Sequence, residues 1–189
     1  LAPGSARNGI QSTIVVWWQG NRTCSVDRCS PSDSHASLFV ELHSAYLMAY
    51  GHEAAFANVR ELLASFGFMW SHECVSRVDL CVDLVNVSPA DFFALDNRRI
   101  GRARQDTLYR DGRLVHGWNI GASGAPLMCR IYDKTRELLH SQDETKLQLL
   151  IDNRWGCVPD VATRVEFQLR TDALRELGIQ SFQELCDKL

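Results

Sequence analysis

No apolar run in the 189 residues approaches the roughly 20 that a helix needs to cross a bilayer. The first twelve residues lack a basic start followed by a long apolar stretch, so they are not read as a secretion signal. An initiating methionine is also missing, and the chain is expected to be a fragment of a longer protein. There is no internal repeat and no low-complexity segment, which argues against a solenoid or a flexible array. Nor are the cysteines arranged as a framework. Seven of them, Cys24, Cys29, Cys74, Cys81, Cys129, Cys157 and Cys186, are scattered and odd in number. Cys24 and Cys29 form the one close pair, and no second pair or HxxxH follows at zinc-finger spacing. Four of the cysteines stand singly in apolar or strand-like stretches, where a thiol acts as a small hydrophobe, so a reducing, cytoplasmic setting is expected.

What the chain does have is enough apolar content, 46%, for one sizeable core, and a single domain over 1–189 is expected. The formal charge of −3 conceals an asymmetry. Residues 98–136 hold nine basic side chains (Arg98, Arg99, Arg102, Arg104, Arg110, Arg113, Arg130, Lys134, Arg136) against three acidic ones (Asp106, Asp111, Asp133). That local excess on an acidic body suits a phosphate-contacting face, although an arginine-rich solvated loop has the same composition.

Period and punctuation give the elements. Residues 14–18 form a short apolar strand, and 21–37 are polar and loop-like. Residues 38–42 alternate, with Leu38, Val40 and Leu42 on one side. Helical spacing of Ala55, Phe56, Val59, Leu62, Leu63 and Phe66 predicts a helix over 52–66, stopped at Gly67. A second helix starts at Ser88 with Pro89 in its first turn. Asp111-Gly112 centres a hairpin over 107–118. A long helix is predicted over 135–151, another between Thr171 and Gly178, and a last one after the Ser181/Glu184 capping box. Strands and helices mix without a βαβ rhythm, so the expected class is α+β, an antiparallel or mixed sheet with one polar catalytic face, flanked by helices.

Three strands carry the chemistry. In SRVDLCVDL (76–84), Val78, Leu80, Val82 and Leu84 fall on one face and Arg77, Asp79, Cys81 and Asp83 on the other. In CRIYDK (129–134), Arg130, Tyr132 and Lys134 share a face. In TRVEFQLR (163–170), Val165, Phe167 and Leu169 are expected to point inward, with Arg164, Glu166, Gln168 and Arg170 opposite. Paired in one sheet, these strands would present a single polar surface. The hard oxygens of Asp79, Asp83 and Glu166 suit Mg²⁺ or Mn²⁺. Residues four apart on a strand lie roughly 13 Å apart, so either Asp79 or Asp83, and not both, would join Glu166 around one ion. A phenol of ordinary pKa near 10 attacks phosphate only where a base, a metal or cations favour its anion, and Arg130 and Lys134 flank Tyr132. The same alternation also describes the solvent face of an antiparallel sheet with weak cross-strand ion pairs.

Taken together, SRVDLCVDL, NIGASGAPLMCRIYDK and ATRVEFQLR resemble the replication initiation factor family: rolling-circle plasmid replication initiators and the related relaxases of integrative conjugative elements. That family carries an R-[IVL]-D-L-x-x-D strand, a Gly-Ser-rich turn into R-[IV]-Y-[DEN]-K, and an R-[VL]-E strand, here at Arg77 to Asp83, Gly121 to Lys134 and Arg164 to Glu166. The turn at 121–128 is uncharged here, where family members often carry charge. The resemblance implies metal-dependent nicking and religation of one DNA strand at an origin. Tyr132 would be the nucleophile of a 5′-phosphotyrosine intermediate, with Arg130 and Lys134 beside it. It implies Asp79, Asp83 and Glu166 as the acidic residues for Mg²⁺ or Mn²⁺, and Glu41 as a looser match. DNA contacts are then expected from Arg77, Arg164, Arg170, Arg98, Arg99, Arg102 and Arg104. Partners would be origin DNA as a single-stranded or hairpin nick site, a helicase, a host polymerase and a second copy in a homodimer, with no membrane. None of the six histidines (His35, His43, His52, His72, His116, His140) forms a His-x-His pair, so the histidine metal site of HUH nucleases is not expected. The alternatives are a DNA-binding module that keeps the fold without cleavage, and a protein-interaction module of a mobile element.

Overall fold

The computed structural model describes residues 10–18, 21–29 and 38–188, with side chains for 13–16, 23–28 and 38–188. Contacts gather into two compact units, Leu1–Trp70 and Ser71–Leu189, a division that chain length alone does not foresee.

The first unit is an antiparallel meander of β1 (Ile10–Trp18), β2 (Asn21–Cys29) and β3 (Leu38–Leu42), followed by α1 (Ser44–Tyr50) and α2 (His52–Ser65). Its core joins Cys24 and Val26 of β2 to Val59 and Leu63 of α2, with Val16, Leu38, Val40 and Leu42 packed against them. The expected loop at 21–37 therefore begins as a strand; its remainder, 30–37, lies outside the described residues. As the central strand, β2 bonds along both edges, and two inward side chains suffice for its apolar face. Helix α1 escapes sequence inspection because its N-cap, His43, makes no side-chain cap. Glu41 is exposed on β3.

The second unit is built on a five-stranded antiparallel sheet in the order β4-β8-β7-β6-β5, giving an α+β fold. Its strands are β4 (Arg77–Val85), β5 (Asp106–Asp111), β6 (Leu114–Ile120), β7 (Leu127–Asp133) and β8 (Ala162–Arg170). The three chemistry-bearing strands are thus neighbours. Helix α3 (Pro89–Ala94) starts at the Ser88/Asp91 capping box, and its Phe93 meets Trp118 of β6 edge-on at 5.7 Å. The long helix expected after Tyr132 is interrupted. It divides into α4 (Lys134–Ser141) and α5 (Glu144–Leu150), running on into a π-helical turn at Ile151–Trp155. Gln142 takes a left-handed conformation with φ 54°, and the Asp143 carboxylate caps Lys146 N–H; a short polar side chain here competes with helix continuation. Helices α6 (Thr171–Glu176) and α7 (Phe182–Cys186) close the unit at the stop and capping-box signals.

Burial corrects the expected facing of β4 and β8. On β8 the polar side has gone inside, with Arg164 4%, Glu166 7% and Gln168 3% exposed, while Phe167 is 45% exposed. Leu80 and Val82 of β4 are exposed as well. The reason lies in the covering elements. The π-helical turn reaches the polar face, where Trp155 Nε1 donates to Asp83 at 3.1 Å, and α4 packs on β8. On the other face, α3 covers β6 and β7 and leaves the β4–β8 end open.

A buried charged face requires pairing. Arg164 Nε and Nη2 donate to the two oxygens of Asp83 at 2.6 and 2.8 Å, with both side chains at or below 5% exposure. Burial alone would raise the Asp83 carboxyl, but the Arg164 guanidinium outweighs it and holds the carboxyl below its ordinary value. A depressed carboxyl contributes stability above its unfolded value near 4, lost as pH falls toward the lowered folded value. Asp83→Asn is expected to cost about 3–5 kcal/mol in urea unfolding, because it strands Arg164, and to flatten the acid limb of the stability curve. A loss under about 1 kcal/mol would refute this account of the buried face.

Candidate active site

Strand register assembles the site in rows. Cys81, Glu166 and Arg130 stand side by side across β4, β8 and β7, and the next row holds Asp83, Arg164 and Tyr132. The Tyr132 hydroxyl donates to Glu166 Oε2 at 3.1 Å. Arg130 closes an ion pair on the other oxygen of Glu166 and reaches Asp79 Oδ2 at 3.4 Å. Asp79 is held further by Arg77, and by Gln168 Nε2 at 3.3 Å. Asp79 is thus linked to Glu166 through Arg130, whereas both oxygens of Asp83 are taken by Arg164.

Lys134 departs from its expected place on the strand. It is the first residue of α4, 1% exposed and ion-paired with Glu137, yet its ammonium lies 5.7 Å from the centre of the Tyr132 ring. Burial pulls its pKa down to about 8 against the Glu137 hydrogen bond, and the charges of Lys146 and Arg164 push the same way as burial. The Tyr132 phenol is displaced upward, first by burial and then by the facing Glu166 charge, so it stands neutral. The Nε of Arg130 is shielded from solvent with no hydrogen-bond partner among the described residues. A buried donor left so costs about 1–3 kcal/mol, which leaves Arg130 with capacity for a further acceptor.

The expected DNA-contacting arginines separate. Arg164, expected to meet phosphate, is instead buried on Asp83. Arg77 is exposed and paired with Asp79, and Arg170 is half-buried with a hydrogen bond to Gln168. Arg98, Arg99, Arg102 and Arg104 are exposed. Arg99 stacks on Trp118 at 5.2 Å, and Trp118 is in register with Ile131, whose side chain points to the face opposite Tyr132. Arg99 and Tyr132 thus do not share one face, whereas Arg130 and Lys134 of the same basic stretch stand beside the tyrosine. Glu41 belongs to the other compact unit.

Several participants were not singled out in the sequence. Arg154 and Glu137 complete the ion pairing, Trp155 Nε1 donates to Asp83, and Asn119 Nδ2 donates to the Tyr109 hydroxyl at 3.1 Å on the Tyr132 face. Alternation alone places Asn119 and Tyr109 there once β6 is known to flank β7. Compared with known proteins, the chain matches no protein-family model and no curated protein.

The lowered Lys134 fixes a pH response. Below about pH 8 both folded and unfolded chains carry the charge and the burial cost is in force; between pH 8 and the unfolded value near 10.5 the unfolded chain binds more protons, so stability rises with pH. The stability difference between wild type and Lys134→Met should shift in favour of wild type by about 1–2 kcal/mol from pH 7.5 to 9.5 in urea melts. A difference independent of pH would contradict the buried ammonium.

Proposed function

We propose that the chain is a metal-dependent tyrosine strand transferase that nicks and reseals one strand of DNA. The observation that carries this is the Tyr132 hydroxyl donating to Glu166, itself paired with Arg130. That arrangement supplies a nucleophile, a base for its proton and a cation on one surface. The resemblance of the three strand motifs to the replication initiation factor family supports the same assignment, and implies origin DNA as the partner, with a helicase and polymerase to use the nick.

In the proposed step, Glu166 takes the Tyr132 proton and Oη attacks phosphorus. The bond from phosphorus to the 3′ oxygen breaks and that oxygen takes up a proton from solvent, to which Glu166 releases its own, leaving a 5′-phosphotyrosine and a free 3′-hydroxyl. Attack by a 3′-hydroxyl on the phosphotyrosine reverses it. Arg130, whose guanidinium is partly exposed beside Glu166, is suited to a phosphate oxygen, and the ammonium of Lys134 against the ring favours the developing phenolate. Asp79 and Glu166 already converge on one cation, the Arg130 guanidinium, and are hard oxygen donors, so they would hold Mg²⁺ or Mn²⁺. Bound there, the ion would neutralise charge on a non-bridging phosphate oxygen.

A second assignment, a DNA-binding module without cleavage, is favoured by one observation, the phenol held above its ordinary value. The two are separated by a denaturing gel. Hairpin oligonucleotides with randomised loops, labelled at the 3′ end, are incubated with protein and Mn²⁺. Nicking gives labelled protein that survives denaturant, is abolished by EDTA and by Tyr132→Phe, falls at least 100-fold in Glu166→Gln, and persists in Tyr109→Phe. An adduct of undiminished yield in Tyr132→Phe would overturn the assignment, and no adduct in any protein would leave the binding module.

A further inference from the structure

We infer that the arginines around the β5–β6 edge form a docking surface for the phosphate backbone of duplex DNA, separate from the Tyr132 face. Arg98, Arg99, Arg102, Arg104, Arg110 and Arg113 are all exposed. Only Arg99 among them is paired with carboxylates of described residues, Asp96 at 3.0 Å and Asp106 at 3.7 Å. The third nearby carboxylate, Asp111, is engaged by Arg136. Five guanidinium groups thus face solvent without a carboxylate partner among the described residues, within sixteen residues of a chain whose formal charge is −3. Concentrated positive charge on an acidic body focuses an anionic partner on that region and away from the rest.

Two of the cations are fixed in place. Arg99 stacks on Trp118 at 5.2 Å, and Arg110 stacks on Phe93 at 5.4 Å. The rings support each other at 5.7 Å, and Trp118 Nε1 donates to Asp106 at 3.3 Å. Arg98 lines the same recess as Arg99 and Trp118. These contacts put Arg98, Arg99 and Arg110 on the α3 side of the sheet, which register shows to be opposite Tyr132. Arg113 follows Gly112, whose φ of 59° makes the hairpin turn. Long side chains already held in one conformation lose less freedom when they meet phosphates.

Duplex, rather than a single strand, fits the chemistry. Single strands are held by aromatic faces open to stacking bases, and here Trp118 is 3% exposed and Phe93 lies under a guanidinium. What is open is guanidinium charge beside the aliphatic side chains of Leu95, Ile100 and Leu114, which offer no ring to a base; the charge reads the backbone without sequence. The inference takes DNA as partner from the proposal above, but does not require Tyr132 to be a nucleophile.

The test uses the whole chain in EDTA with a fluorescent 20-base-pair duplex and anisotropy from 50 to 200 mM KCl. Wild type should bind with a steep salt slope. Arg98→Ala/Arg102→Ala/Arg104→Ala should reduce the slope by about 2–3 and the affinity at least tenfold at 100 mM. Arg110→Ala/Arg113→Ala should lower the slope by about 2, and the corresponding lysine variants should restore it. Thermal melts report whether the variants are folded. Absence of wild-type duplex binding at 50 mM KCl, an unchanged slope in the folded alanine variants, or retention on phosphatidylserine vesicles with no duplex binding would overturn the inference. Tyr132→Phe should bind duplex as wild type does. Loss of the covalent adduct alone tells against nicking, and loss of duplex binding alone tells against this surface.

Discussion

Arg164 crosses from β8 to Asp83 on β4 with two hydrogen bonds, and because both side chains are nearly sealed from water, neither charge is tolerable there without the other. That constraint governs the second unit. Once the pair is closed, Trp155 and Arg154 of the π-helical turn can reach Asp83, and α4 can settle on β8, so the polar face becomes the covered one. Glu166 and Gln168, which alternate with Arg164, are carried inside with it. The candidate nucleophile is therefore set beside a buried carboxylate, in surroundings where electrostatic effects exceed those at an open surface.

Glu166 is the hub of the site because it meets two neighbours of opposite need. It accepts from Tyr132 and is paired with Arg130, and the Arg130 guanidinium links it to Asp79. The carboxylate charge helps to raise the phenol, and a cation drawn to Glu166 would lower it again. Proximity of Lys134, lowered to about 8, adds a cation at the ring that is itself sensitive to pH. The opposite side of the sheet is organised by different means, with arginines laid over Trp118 and Phe93.

Much of this was legible from residue patterns. Period-two alternation sorted Arg77, Asp79, Cys81 and Asp83 from their apolar neighbours, and the three strands do lie adjacent, so Arg130, Tyr132 and Glu166 meet as expected. Caps and glycines marked α3, α6 and α7 because those signals act within a few residues. What alternation could not give was which face is covered, since that depends on where α4 and the π-helical turn fold back, a contact between residues more than 70 apart in sequence. The same gap hid the burial of Arg164, whereas the interruption of the helix at Gln142 is local and set by the Asp143 cap. A run of arginines at 98–113 was visible as charge, but its separation from Tyr132 follows only from the register of Trp118 with Ile131.

Covalent attachment of Tyr132 to a 5′-phosphate, as proposed, is open to peptide mapping. Protein trapped with a hairpin oligonucleotide carrying a 3′-bridging phosphorothiolate is digested with nuclease and trypsin and examined by mass spectrometry. The expected product is a nucleotide mass on the peptide 131–134, at Tyr132. A nucleotide on Tyr109 or on any other residue, or trapped cleavage with no modified peptide, would contradict it.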